Sequence, residues 1–247
     1  MSSQPLWNLP STHLALAATD LHVWQVALDQ PEASVARFRA VLSADERARV
    51  DRFHFDRDRR RYIVARGGLR SIIGRYLDLA PERLTFDYGP QGKPHLSPVS
   101  SQTPLHFNVA HSHELALYAI TLAHEVGIDI EYTLRQVADI DQLADRFFSA
   151  NENTVYRTLP VIDRRAAFFR CWTRKEAFIK ATGEGLSHPL DRFDVTLAPD
   201  QPAAILTIDG EPADASAWSL FHLEPAADYV GAVAVQGSVW RLSGWVP

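Results

Sequence analysis

Apolar and polar residues change their spacing along the N-terminal part of the chain, and each change predicts a new element. The apolar run at residues 21–28 predicts a strand, and a helix is expected over residues 31–42, which begin with a proline. Apolar residues of 62–77 then recur at helical spacing, which predicts a long helix. Gly67 and Gly68 lie in its middle, where each costs about 1 kcal/mol relative to alanine. We therefore expect another backbone or a ligand to approach closely there.

After Pro81 the pattern changes to short apolar runs separated by turn residues, which predicts a meander of strands. Helical spacing returns at residues 140–148 and at 163–182, and Gly183 follows as a typical C-terminal cap. From residue 193 to about 239, short strands alternate with Pro, Gly and Asp turns. The second part of the chain thus resembles the first in its order of elements.

Two serine–glutamate pairs indicate further helix starts. Ser43 with Glu46, and Ser149 with Glu152, have the spacing of a capping box. In this motif each side chain accepts a hydrogen bond from the other residue's backbone N–H.

The complete order is strand, helices, strands, followed by the same series again. We predict an α+β fold with largely antiparallel strands and two similar halves, although no sequence repeat proves the similarity. The expected organisation is an N-terminal arm at residues 1–20, an N-terminal half at 21–123 and a C-terminal half at 124–247.

Composition narrows the class of protein. The chain has 247 residues, is 46% hydrophobic and has a net charge of −5, as in ordinary globular proteins. No apolar run approaches the ~20 residues of a membrane helix, and the N-terminus lacks the basic start of a signal peptide. Cys171 is the sole cysteine, which excludes an intrachain disulfide and a cysteine-built zinc site. We expect a cytoplasmic protein without a membrane partner.

One segment departs from this acidic balance. Residues 47–75 contain ten arginines and three aspartates. Such a segment favours an anionic ligand or partner, but it is also typical of a solvated helix with ion pairs such as Asp56–Arg60. Nucleic acid is not favoured, because the rest of the chain is acidic and no nucleic-acid-binding motif is present.

Four residues suggest a site for a divalent cation and a phosphate. Asp129 and Glu131 are two apart in a predicted strand and point the same way, while Glu176 and Lys180 are four apart on one helix face. Mg²⁺ is usually held by a few carboxylates together with substrate phosphates. The alternatives are ordinary: the polar face of a half-buried strand, and an exposed ion pair. Trp172, on the same face as Glu176, argues against simple solvation.

Other chemistries find less support. Zinc would prefer histidine and cysteine, and only His111 and His113 are close enough to suggest it. His111 follows a strand and Lys93 lies in a glycine–proline turn, where either could meet a charged ligand or remain an ordinary loop residue. The sequence contains no phosphate loop, no dinucleotide motif and no plausible serine or cysteine nucleophile.

Four segments together resemble the Sfp-type 4′-phosphopantetheinyl transferases. They are GKP at 92–94, FNVAHS at 107–112, VGIDIE at 126–131 and CWTRKEAFIKATGEGLSHPLDRF at 171–193. The resemblance extends upstream to residues 52–73 and covers roughly residues 20–235. It implies a pseudo-dimeric monomer with the active site in the cleft between two similar halves.

The resemblance also implies the reaction: the phosphopantetheine arm of coenzyme A is transferred to a serine of an acyl, peptidyl or polyketide carrier protein, and adenosine 3′,5′-bisphosphate is released. Mg²⁺ would be bound by Asp129, Glu131 and Glu176, and Glu176 would also act as the general base. Lys180 would contact the pyrophosphate. The remaining coenzyme A contacts would come from Arg61, Lys93, His111 and Lys175. Ala110 departs from the family, which usually has serine there, and Ser112 is a possible replacement.

Two other functions remain open from the residues. A magnesium-dependent hydrolase of a nucleotide pyrophosphate would use the same carboxylates to activate water. A non-catalytic protein that binds coenzyme A or a carrier would be expected to lack Glu176 or Lys180, and both are present.

Overall fold

Two main sheets, each with one long helix packed against it, organise the chain. The computed structural model describes residues 7–10, 14–100, 103–185 and 188–247. The helices are α1 (Glu32–Ala40), α2 (Ala44–Val50), α3 (Asp56–Leu77), α4 (Ile140–Phe147), α5 (Ala150–Thr158), α6 (Val161–Thr182) and α7 (Pro212–Ala215). The strands are β1 (Trp7–Asn8), β2 (Asp20–Ala27), β3 (Phe86–Tyr88), β4 (Pro94–Leu96), β5 (Leu105–Ser112), β6 (Leu115–Leu122), β7 (Val126–Tyr132), β8 (Phe193–Val195), β9 (Ile205–Ile208), β10 (Trp218–Leu223), β11 (Tyr229–Gln236) and β12 (Arg241–Trp245). The predicted α+β class is confirmed.

The first sheet has the order β1-β12-β2-β6-β5, in which β2, β6 and β5 are antiparallel neighbours. Helix α3 lies against it, with Ile73 packed into the same buried cluster as Trp24 and Tyr118. Strand β12 pairs in parallel with β2, so the end of the chain lies in the sheet of the N-terminal half. The strands expected to end near residue 239 therefore continue to Trp245.

The second sheet has the order β10-β11-β7 and is antiparallel throughout. Helix α6 covers one face of it, and Phe168, Phe169 and Phe178 are buried there. Helix α6 begins two residues before the predicted start and ends at Gly183, whose φ of 76° is in the left-handed region.

The two sheets share a third apolar cluster, to which Val23 contributes from β2 and Ile128 from β7. Side chains of β5 also bind the backbone of β7. The Asn108 Oδ1 accepts a hydrogen bond from the Ile128 N–H at 2.9 Å, and the Ser112 Oγ accepts one from the Tyr132 N–H at 3.0 Å. Strands β5 and β7 therefore meet at the junction of the halves.

Local sequence signals explain several of these elements. Both capping boxes are formed, at Ser43 and at Ser149. The close approach expected at the paired glycines is also confirmed, because a Cβ at Gly67 would lie 2.6 Å from the Phe38 carbonyl oxygen of α1. No helix within the described ranges is long and apolar enough to cross a membrane.

Candidate active site

The backbones of β7 and α6 approach each other closely at Gly127. A Cβ on Gly127 would lie 2.1 Å from the Ala177 carbonyl oxygen and 2.3 Å from the Ala181 nitrogen, so the strand and helix backbones touch there. Side chains two residues apart on a strand share a face. Asp129 and Glu131 therefore point towards α6, which carries Glu176 and Lys180.

Asp129 and Lys180 form the centre of this arrangement. Asp129 is only 6% exposed, and its Oδ1 is 2.5 Å from the Lys180 Nζ. The same Nζ lies 4.0 Å from the Glu176 Oε2, so the ammonium interacts with both carboxylates. The Asp129 Oδ2 is buried and has no hydrogen-bond partner among the described residues. Asp129 therefore does not lie on a solvated strand face, and Glu176 and Lys180 are not an exposed ion pair.

Burial and mutual repulsion change the ionisation of these groups. Burial raises the pKa of Asp129, and Lys180 opposes this. Burial also raises the pKa of Glu131 and of Glu176, and the charge of Asp129 raises both further. Desolvation alone would lower the pKa of Lys180, but Asp129 outweighs it and the net shift is upward. The ammonium is thus stabilised in its charged form.

Glu131 is held from both sides. The Ser112 hydroxyl donates to its Oε2 at 3.1 Å, and the Arg135 guanidinium binds Oε1 and Oε2 at 2.9 Å each. Ser112, considered as a replacement ligand contact, therefore orients one of the predicted metal ligands. Arg135 could not be identified from the sequence, because it lies outside the four segments that carry the resemblance.

A cavity of about 580 Å³ opens between α3 and β5. Arg49, Arg61, Pro94, His111 and His113 are among its lining residues. Desolvation lowers the pKa of His111, and Lys180 lowers it further while Asp129 opposes. His111 thus lies where the cavity and the carboxylate cluster meet.

The arginines of the basic segment differ in how they are paired. Arg61 lines the cavity, but its guanidinium binds both oxygens of Asp29, at 2.7 and 2.6 Å, and the His113 carbonyl oxygen at 2.7 Å. Arg49 lines the same cavity over the Tyr62 ring, 5.4 Å from its centroid, with no carboxylate partner among the described residues. No sequence signal distinguishes Arg49, because the arginines of residues 47–75 all lie in similar polar surroundings along the chain.

Lys93 is not brought to this cavity, although its neighbour Pro94 is. Its Nζ donates to the Glu125 Oε2 at 3.0 Å and to the carbonyl oxygens of Val126 and Ala181, both at 3.2 Å. These three acceptors match the three N–H groups of an ammonium. Lys93 therefore connects the β3–β4 hairpin to the start of β7 and the end of α6.

Lys175 is fully buried within the C-terminal half, on a different face of α6 from Glu176. Its Nζ lies 2.8 Å from the Glu152 Oε2 and donates to the carbonyl oxygens of Leu190 and Phe193 at 2.6 and 2.7 Å. The expectation that Lys175 adds a phosphate contact is corrected, because its ammonium has no access to a ligand.

The donor chemistry fits a hard cation. Asp129, Glu131 and Glu176 supply carboxylate oxygens, which Mg²⁺ prefers, and the buried Asp129 Oδ2 is unpartnered. In the described part of the chain, however, no three His, Cys, Asp or Glu side chains already surround one point as a metal site would require. Lys180 and Arg135 instead hold two of the three carboxylates.

Sequence comparison covers both halves. Residues 125–234 match the model of the 4′-phosphopantetheinyl transferase superfamily, and residues 29–123 match that of the 4′-phosphopantetheinyl transferase N-terminal region. The chain is 42% identical to the 4′-phosphopantetheinyl transferase HetI of a Nostoc species, over 98% of each chain. It is 30% identical to the 4′-phosphopantetheinyl transferase Sfp of Bacillus subtilis, over 75% of this chain and 80% of that protein.

Among solved structures, the chain matches a holo-(acyl-carrier-protein) synthase from Bacillus anthracis in complex with CoA (3′,5′-ADP). The identity is 20%, the TM-score is 0.36, and the match covers 46% of this chain and 96% of that one.

Proposed function

The chain belongs to the 4′-phosphopantetheinyl transferase superfamily and transfers phosphopantetheine to carrier proteins, and we propose that coenzyme A is the donor and Mg²⁺ the cofactor of its reaction. The observation that carries this proposal is the buried Asp129–Lys180 pair, 2.5 Å apart, beside Glu176 and a cavity lined by cationic side chains. A pyrophosphate bound there would meet both a metal site and an ammonium.

Asp129, Glu131 and Glu176 are the proposed Mg²⁺ ligands. When bound, the ion would neutralise the negative charge that develops on the pyrophosphate. Lys180 adds a fixed positive charge at the same place, and the carboxylate of Asp129 raises its pKa against the effect of burial and so keeps it protonated. Positioning and charge neutralisation account for most catalysis in phosphoryl transfer, so this chain needs no covalent nucleophile of its own.

The cavity is the proposed site for the adenosine end of coenzyme A. Its volume of about 580 Å³ is within the usual range for small-molecule pockets. Arg49 and His111 are the proposed contacts of the 3′-phosphate, because Arg61, the choice made from the sequence, already binds Asp29. We retain Arg61 as a wall of the cavity that fixes the β5–β6 hairpin through the His113 carbonyl.

Glu176 is the proposed general base. The carrier serine oxygen attacks the phosphorus that bears the pantetheine, the bond from that phosphorus to the bridging oxygen breaks, and adenosine 3′,5′-bisphosphate leaves. The serine proton passes to Glu176. Burial and the neighbouring carboxylates raise the pKa of Glu176, which makes it a better proton acceptor. The carboxylates, Lys180 and the cavity all come from one copy of this chain, so we propose that the active form is a cytoplasmic monomer.

Mass spectrometry of apo carrier proteins tests the whole proposal. After incubation with coenzyme A and Mg²⁺, a carrier should gain the phosphopantetheine mass, and chelation of divalent ions with EDTA should abolish the gain. Turnover of coenzyme A without a carrier would instead favour the hydrolase. Modification that persists in EDTA would contradict the metal assignment and leave the transferase function standing.

The 3′-phosphate assignment has its own test. Arg49→Ala should weaken coenzyme A binding in calorimetry while leaving binding of 3′-dephospho-coenzyme A nearly unchanged. Arg47→Ala, two residues away on the same helix, is the matched control. Equal losses for the two ligands would contradict the assignment.

A further inference from the structure

Arg135 forms a bidentate ion pair with the proposed metal ligand Glu131. Its Nη2 donates to the Glu131 Oε1 at 2.9 Å, and its Nε lies 2.9 Å from Oε2, so the guanidinium binds the carboxylate with two parallel contacts. Such bidentate pairs are stronger and more directional than single contacts. Both oxygens of this proposed metal ligand are thus engaged by a cation of the same chain.

The surroundings hold Arg135 in this place. Its guanidinium carbon lies 5.4 Å from the centroid of the Phe169 ring, and its backbone carbonyl oxygen accepts a hydrogen bond from Arg165. Arg165 also donates to the Thr133 carbonyl oxygen at 2.8 Å. The backbone after β7 is therefore fastened to α6, which keeps Arg135 close to Glu131 while its guanidinium stays partly exposed.

Arg135 and Lys180 each pair with a carboxylate of the site, but the two cations differ in their exposure to solvent. The Lys180 side chain is 30% exposed and contacts the buried Asp129, whereas the Arg135 side chain is 41% exposed and reaches Glu131 from the solvent side. An exposed guanidinium can move into water at little cost, because water replaces its hydrogen bonds. Arg135 is consequently the cation that can leave when another positive charge arrives.

On the basis of the proposed function, we propose that Arg135 is a built-in counter-ion that occupies Glu131 and competes with the metal for it. A divalent cation beside Glu131 would be repelled by the guanidinium and would have to break or share its two contacts. Arg135 therefore lowers the affinity of the site for metal. Ser112 keeps Glu131 in place on the other side, since its hydroxyl also bonds the β7 backbone.

Titration calorimetry with Mg²⁺ and with Mn²⁺ on the full-length protein, in the absence of coenzyme A, tests this role. Arg135→Gln should bind either ion about fivefold more tightly than wild type, the effect expected of one partly exposed ion pair. Arg135→Lys, which keeps the charge but loses the bidentate geometry, should lie between the two. Arg146→Gln is the matched control, because Arg146 also lies over a phenylalanine ring, that of Phe147, on α4.

The outcomes separate this role from the function on which it rests. Unchanged or weaker metal binding by Arg135→Gln, with normal binding by wild type, would overturn the competition and leave the magnesium site intact. Absence of metal binding in wild type and in every variant would overturn the magnesium site, and the competition with it. An equal gain in Arg146→Gln would show a general charge effect and would also overturn the specific role.

Discussion

The two halves of the molecule share a scaffold but carry different chemistry. In the N-terminal half, strands in the order β2-β6-β5 pack against α3, and in the C-terminal half strands in the order β7-β11-β10 pack against α6. Both helices have 22 residues and end at a residue with positive φ, Asp78 or Gly183. The similarity predicted from the order of elements is therefore visible in the strand order itself.

A buried cation occupies the same position in each half. Arg70 and Lys175 stand equally far from the starts of α3 and α6. Arg70 binds Glu46 of the first capping box at 2.6 Å and two backbone carbonyl oxygens, and Lys175 binds Glu152 of the second at 2.8 Å and likewise two carbonyls. Lys175 is thus a scaffold residue, although it lies beside Glu176 in sequence.

The catalytic positions have no such counterpart. When α3 and α6 are aligned from their first residues, Lys180 corresponds to Arg75. When β2 and β7 are aligned with Leu21 at the position of Val126, Asp129 corresponds to Trp24. In the N-terminal half the Arg75 guanidinium lies over the Trp24 ring, 5.2 Å from its centroid. In the C-terminal half the Lys180 ammonium binds the Asp129 carboxylate. Residues that hold the scaffold are repeated, while the carboxylates and Lys180 of the site are confined to the C-terminal half.

The largest expected effect tests the shared scaffold. Lys175→Met leaves Glu152 buried without its partner and should destabilise the fold by about 3–5 kcal/mol, measured by urea denaturation. Arg192→Met, which breaks an exposed pair with Asp209, should cost less than about 1 kcal/mol. A stable Lys175→Met protein with a raised KM for coenzyme A would instead support the original phosphate role.

The next effect tests whether the carboxylate–lysine cluster of the C-terminal half has no counterpart in the N-terminal half. Asp129→Asn should lower kcat about 10²–10³-fold, because it removes a charge that holds Lys180 and a proposed metal ligand. Trp24→Phe, at the corresponding position, should affect stability and leave kcat unchanged. Carrier modification followed by mass spectrometry measures both, and near wild-type turnover by Asp129→Asn would contradict the site.

A third prediction concerns the strand–helix contact that brings the carboxylates together. Gly127→Ala places a methyl group against the backbone of α6, so it should destabilise the protein by about 1–3 kcal/mol and lower kcat as Glu176 moves away from β7. Gly89→Ala is the control, since its Cβ would meet only an atom 3.7 Å away. Normal activity in Gly127→Ala would show that the spacing is not required.

The smallest effect concerns the connection between the halves. Hydrogen bonding with His106, and then the charge of Lys93, lower the pKa of Glu125 to about 2. A folded-state pKa below the unfolded value of about 4.5 stabilises the protein above that pH, and the contribution is lost as the pH falls towards 2. Because the side chain is 47% exposed, Glu125→Gln should cost less than about 1 kcal/mol at pH 7 and flatten the acid-unfolding profile. An unchanged profile would contradict this.

Most helices and strands and the carboxylate–lysine cluster could be predicted from the order of residues alone. Helical spacing, capping boxes and turn residues are local signals, so the helices and the class followed from them. Asp129, Glu131, Glu176 and Lys180 were found because strand and helix periodicities specify which side chains share a face.

Which charged residues are available to a ligand could not be predicted from the sequence and depends on the folded structure. Neighbours in sequence such as Lys175 and Glu176 face different surroundings, and the partners of Lys93, Arg61 and Arg135 come from other elements or from a turn without a motif. An ion pair depends on distances between elements, which are set when the chain folds. Periodicity specifies only which side chains share a face of one helix or strand. The sequence therefore specified the carboxylates, and the fold specified the cations that hold them.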